Sequence, residues 1–161
     1  MDRVRAKQVR AKGGELTFFN SLLEEGAGEI RTDDVEILGS KHEPPPASQV
    51  TSLLQQMCDE VNASESDAID LAAFVLWRVN WIHPFGEGNG RTARAASYLV
   101  LSVCLGRVLP GKKMIWEQLA SEKRAYWKAL EAADAACKAG ASDVSVLADL
   151  IRDMLETQIS S

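Results

Sequence analysis

The chain has 161 residues, 46% of them hydrophobic and 25% charged, with 18 basic against 23 acidic side chains and a net charge of −5. That is one ordinary domain, able to bury roughly 70% of its unfolded surface, and the composition excludes disordered, collagen-like and low-complexity classes. The acidic balance argues against binding along a phosphate backbone, so no nucleic-acid partner is expected. Cys58, Cys104 and Cys137 are an odd count without CxxC spacing, which points to a reducing compartment. No run reaches the ~18 apolar residues of a membrane span, and the basic N-terminus has no apolar core behind it. The expectation is a cytoplasmic protein with no membrane partner.

Residues 1–14 form a basic lead-in ending in Gly13-Gly14, ahead of one domain over 15–161. Leu16, Phe18, Phe19, Leu22 and Leu23 make a short helical stripe stopped by Gly26 and Gly28. Between Glu29 and Pro46 the pattern changes. Ile30, Val35 and Ile37 suggest short strands, Asp33-Asp34 a turn and Pro44-Pro45-Pro46 an abrupt end, together a small hairpin with His42 exposed on it.

Val50, Leu53, Leu54, Met57 and Val61 then recur on one face of a helix running to about Asn62. Ala68–Trp81 and Ala93–Leu105 are apolar nearly all the way round, as helices in the middle of a bundle are. Two amphipathic pieces follow between Lys112 and Lys138, and a last helix over Val144–Gln158. The four tryptophans read first as packing residues. The fold class is all-α, a bundle with a small β-hairpin flap.

The loop between the two apolar helices collects the unusual chemistry: His83-Pro84-Phe85-Gly86-Glu87-Gly88-Asn89-Gly90-Arg91-Thr92-Ala93-Arg94. Pro84 ends the incoming helix near Ile82 and leaves His83 at its end. Gly86, Gly88 and Gly90 permit positive φ, so successive amides can turn inward as an anion nest that leads into a helix N-terminus. Arg91 and Arg94, one turn apart, can reach the same anion. The combination is a polyphosphate cradle. Glu87 fits it only if a divalent ion such as Mg²⁺ bridges carboxylate and phosphate. Neither a Rossmann nor a Walker A loop matches, because GxGxxG is not met and the lysine is missing.

HPFGEGNGRTAR resembles the signature of the Fic (filamentation induced by cyclic AMP) family, HxFx(D/E)GNGRxxR, with every specified position matched. At average residue frequencies a chance match is on the order of 10⁻¹⁰ per start point. The resemblance runs from about Leu16 to Gln158 and includes RAYWKALEAAD, similar to the family's downstream helix. It implies a Fic-type helical bundle and a protein adenylyltransferase, which moves AMP from ATP to a Ser, Thr or Tyr hydroxyl of a target protein and releases pyrophosphate.

By that resemblance His83 is the general base and, with Asn89 and Arg91, catalytic. Glu87 holds Mg²⁺ through the phosphates, and Gly88, Asn89, Gly90, Arg91, Thr92 and Arg94 contact the nucleotide, Arg91 at the β- and Arg94 at the γ-phosphate. Leu38, Gly39, Ser40 and Lys41 on the flap, and Tyr126, Trp127, Leu130 and Asp134 on the downstream helix, flank the nucleotide. The target protein docks on the flap, residues 29–46. GNGR rather than the AN(K/R) of the phosphotransferring Doc branch favours AMP transfer over kinase chemistry. Ser21, Glu25 and Gly26 fit the family's inhibitory pattern (S/T)xxxE(G/N), a match expected by chance in roughly one chain in ten of this length. Whether the inhibitory helix lies in this chain, is missing or lies on a separate inhibitory protein stays open. The alternatives to transfer are the reverse reaction, a de-AMPylating hydrolase, and a catalytically silent nucleotide-binding regulator.

Overall fold

The computed structural model describes the backbone of residues 9–11 and residues 28–161 in full. The short helical stripe at Leu16–Leu23, and with it Ser21, Glu25 and Gly26, lies outside the described residues. Among the described residues six α-helices follow one another: α1 Val50–Ala63, α2 Ala68–Ile82, α3 Asn89–Cys104, α4 Ile115–Ser121, α5 Lys123–Lys138 and α6 Ser145–Ile159. A mainly helical bundle is what the apolar periodicities predict. Among the described residues no helix is long and apolar enough to cross a membrane.

Helix α2 is the centre of the molecule and packs against α1, α3, α5 and α6. It starts where Asp67 accepts hydrogen bonds on Oδ1 from the amides of Ile69 and Asp70, at 2.8 and 3.0 Å, closing two of the first-turn donors. Those bonds hold the Asp67 carboxyl below its ordinary value, against the smaller opposing effect of burial. Asp67→Ala is expected to cost about 1 kcal/mol. Because the folded pKa is depressed, the cap's contribution is present above the ordinary carboxylate range and fades as pH falls through the folded value. Urea melts of both proteins at pH 7 and pH 3 check this, with the gap between them closing at the lower pH.

The core lies between these helices. Leu76 and Ile82 of α2, Leu101 of α3, Leu119 of α4 and Leu147 and Ile151 of α6 are fully buried. Helix α3 departs from expectation. The apolar run Ala93–Leu105 belongs to a helix that starts at Asn89, with Arg91 and Arg94 in its first turns as expected, but it lies on the outside and not in the middle, with Leu99 and Val103 63% and 68% exposed. An all-round apolar sequence does not distinguish a central helix from an outer one with an apolar outward stripe.

Gln158 of α6 is fully buried and ties the α3–α4 loop down. Its Oε1 accepts from Ile115 N at 2.9 Å, and its Nε2 donates to the carbonyls of Pro110 and Leu109 at 3.1 and 3.3 Å. Gly111 passes close beneath with φ +112, and a Cβ there would stand 1.8 Å from the Gln158 carbonyl oxygen. Gly111→Ala is therefore expected to destabilise the chain by about 3 kcal/mol, from backbone clash and positive φ together. Thermal melting should show it as a fall of about 6–12 °C.

The flap differs from the expected local hairpin. Only one strand forms within 29–46, β2 (Val35–Ile37), and it pairs antiparallel with β1 (Val9–Ala11) from the basic N-terminal segment, Arg10 opposite Glu36. The reason is at Arg31. Its amide donates to Pro84 O at 2.9 Å, so the arm before the Asp33-Asp34 turn is bonded to the loop after α2 and not to β2.

Candidate active site

The last four carbonyls of any helix lack partners within it. In α2 each finds one, and together they build the site. Val79 O accepts from the His83 amide at 3.0 Å, and Asn80 O lies 3.2 Å from His83 Nδ1. Trp81 O lies 2.8 Å from His42 Nε2, and Ile82 O accepts from Arg31 Nη2 at 3.4 Å. His83 itself takes the left-handed conformation, φ 51 and ψ 58, which ends the helix where Pro84 forbids its continuation. A carbonyl only accepts, so the Asn80 contact puts the hydrogen on Nδ1 and the basic lone pair on Nε2. His83 is 7% exposed and lines a cavity beside the loop.

The loop after His83 is braced from within. Asn89 is buried, with its Oδ1 accepting from Phe85 N at 2.9 Å and its Nδ2 donating to Phe85 O at 2.7 Å. With the carboxamide bonded to Phe85 in both directions, Asn89 shapes the loop with its side chain, and of Gly86, Gly88 and Gly90 only Gly88 takes the positive φ expected of all three, because Gly90 already belongs to the first turn of α3. Gly88 caps α3 with φ +80. The Arg91 guanidinium folds back over Gly88 and that of Arg94 over Gly90, each 3.4 Å from where a Cβ would stand. Two guanidiniums, the first-turn amides and the helix dipole thus converge at one helix N-terminus. Neither arginine is in an ion pair with a carboxylate among the described residues.

Glu87 Oε1 is buried without a hydrogen-bond partner. A carboxylate oxygen removed from water needs a cation, so the residue suits Mg²⁺. Among the described residues no group of three or more side chains could hold a metal, so phosphate oxygens and water would have to complete the coordination of an ion at Glu87.

A cavity of about 390 Å³ opens beside this loop, within the range of small-molecule sites. Of the residues expected at a nucleotide, Leu38, Gly39, Ser40, Gly90, Arg94, Tyr126, Trp127, Leu130 and Asp134 line it. Lys41, Glu87, Gly88, Asn89, Arg91 and Thr92 do not, and the last five form the adjoining loop and helix start.

The far wall brings Trp77, His42 and Asn80, which sequence reasoning did not place at the site, against the expected Asp134 and Tyr126. Trp77 donates Nε1–H to Asp134 Oδ1 at 2.8 Å, and His42 Nδ1 lies 3.4 Å from Asp134 Oδ2. His42 is thus not exposed as expected; its side chain is 9% exposed, held between Asp134 and Trp81 O. Asn80 Nδ2 donates to Tyr126 Oη at 2.8 Å, and Arg94 also approaches that hydroxyl. Burial pushes the Tyr126 phenol up to about 12, so it stays a neutral hydroxyl in the physiological range.

The sequence profile of the Fic/DOC family matches residues 14–101, more than half of the chain. The chain belongs to the Fic/DOC family. Protein adenylyltransferase fic-1 of Caenorhabditis briggsae is 36% identical over 78 residues, 47% of this chain and 15% of that protein. Protein adenylyltransferase Fic of Drosophila willistoni is 36% identical over 70 residues, 42% of this chain and 14% of that protein. The chain thus spans a small part of the length of these Fic relatives. In fold it is similar to a Fic family protein from Desulfovibrio desulfuricans, with a TM-score of 0.59 and 24% identity over 74% of this chain and 36% of that one.

Proposed function

We propose that the chain is a protein adenylyltransferase that moves AMP from ATP to a hydroxyl of a target protein. The observation that carries the reading is the juxtaposition at one cavity of a histidine with its lone pair on Nε2 and the Arg94 guanidinium at a glycine-rich helix start. His83 Nε2 takes the proton of the incoming Ser, Thr or Tyr hydroxyl as its oxygen bonds to the α-phosphorus. The bond from the α-phosphorus to the bridging oxygen breaks, and pyrophosphate leaves with that electron pair. The amides of Gly88, Asn89 and Gly90, with Arg91 at the β- and Arg94 at the γ-phosphate, meet the charge on the leaving group without rearranging. Glu87 would hold Mg²⁺ through the phosphates, and the ion would supply further neutralisation of phosphate charge.

Tyr126, Trp127, Leu130 and Asp134 flank the adenine in this reading, with Leu38, Gly39, Ser40 and Lys41 on the other side. The target docks on the flap, residues 29–46. The names of the relatives support AMP transfer as the chemistry. The test is parallel incubation of the chain, Mg²⁺ and cell lysate with ATP labelled at the α- or the γ-phosphate. Protein label from α only is expected. Label from γ would make the chain a kinase, and ATP binding with no label from either would leave a silent nucleotide-binding regulator.

A further inference from the structure

Arg31 is the most heavily bonded side chain near His83, and no motif singles it out. It is 8% exposed, and each of its three guanidinium nitrogens donates to backbone carbonyls: Nε to His83 at 2.8 Å, Nη1 to Asp33 at 2.9 Å, and Nη2 to Pro45 and to Ile82 at 3.4 Å. Its own amide holds Pro84 O at 2.9 Å. Three consecutive carbonyls around the catalytic turn, those of Ile82, His83 and Pro84, therefore depend on one residue of the flap. Its charge also sits at the negative end of the α2 dipole, with Asp34 Oδ1 4.0 Å away as its ion-pair partner.

His83 needs such support. It is the one non-glycine residue among those described with positive φ, a conformation that costs energy unless its surroundings fix it. The same turn sets the ring, because the Nδ1 contact is to Asn80 O, one turn back on α2. A small rotation of the His83 peptide would move the ring off that carbonyl and release the choice of tautomer.

We propose that Arg31 is a positioning residue for His83: it fixes the left-handed turn that keeps Nδ1 on Asn80 O and Nε2 basic, and through Pro45 and Asp33 it ties that turn to the flap. The proton acceptor and the segment that would receive the target are then one mechanical unit. The inference rests on the reading of His83 as the proton acceptor. Its test includes one arm that needs no turnover.

The chain has two histidines, so ¹⁵N-histidine labelling gives a spectrum that His83→Ala assigns by loss of signal. In the wild-type chain the His83 nitrogens should read as the Nδ1–H tautomer. In Arg31→Gln they should move toward the average of exchanging tautomers, and kcat for AMP transfer should fall by about tenfold to hundredfold, as for a base displaced by a fraction of an ångström. KM for ATP should stay within about twofold, because the arginines and amides of α3 are untouched. Arg31→Lys, which keeps the charge but not the planar fork, should recover part of both readouts.

A lowered melting temperature with unchanged imidazole signals and unchanged kcat would overturn the proposal and leave Arg31 a structural staple. Loss of the fold in both variants would overturn it as well, by assigning the residue to the fold itself. If the wild-type chain transfers nothing, the imidazole signals still judge Arg31, and the failure falls on the adenylyltransferase reading alone.

Discussion

Replacing His83 by alanine is expected to lower AMP transfer by about 10²–10⁴-fold, the usual worth of a positioned general base. The loss should fall on kcat, with KM for ATP nearly unchanged, since in the proposed reading the ring serves the acceptor hydroxyl and the arginines of α3 the phosphates. Alanine in the left-handed conformation carries the same Cβ cost that histidine already bears there, so any fall in melting temperature should be small and come from the lost ring contact with Asn80 O. Single-turnover transfer from α-labelled ATP, beside a titration of ATP binding, checks both halves. A variant that still transfers at near wild-type rate would remove His83 from the chemistry.

Arg94→Ala is expected to lower kcat/KM for ATP by about 10²–10³-fold, the range seen when one preorganised donor to developing charge is removed. The guanidinium lies over Gly90, lines the cavity and has no carboxylate ion pair among the described residues, so its charge is available to a ligand. If it grips the γ-phosphate, the loss should be large with ATP and small with ADP. The preference for ATP over ADP as AMP donor would then collapse in the variant. Equal losses with both nucleotides would move Arg94 to another phosphate.

The helices were legible because an amphipathic stripe is a local signal. Met57 and Val50 of α1 and Leu147, Ile151 and Met154 of α6 are buried as their spacing predicts. The loop between α2 and α3 was legible for the same reason, since a glycine-rich stretch and two arginines one turn apart are contiguous in the chain. What failed to show depends on contacts far apart in sequence. Arg31 reaches His83 across 52 positions, and Trp77 reaches Asp134 across 57. A lone arginine in a polar stretch carries no periodicity, and Trp77 and Trp81 on an apolar helix read as packing residues, which they are, without showing that they also wall a cavity.

The flap shows the limit most clearly. Alternation around Val35 and Ile37 identifies a strand but cannot name its partner, and the nearer arm is taken by Pro84. In α3, Gly88-Asn89-Gly90 reads as loop by propensity, yet the first two of those residues cap and start the helix. The Asn89–Phe85 brace settles that start, a contact four residues apart that no propensity scale contains.

The distribution of indole rings has an optical consequence. Trp77, Trp81 and Trp127 all border the cavity beside His83, while Trp116 stacks edge-on against Tyr98 at a ring-centre distance of 4.6 Å and does not line it. Emission is sensitive to the polarity and quenchers beside an indole, so an occupant of this cavity should change the light from three of the chain's four tryptophans. The protein carries its own reporter, and occupancy can be followed in unlabelled material before any target is known.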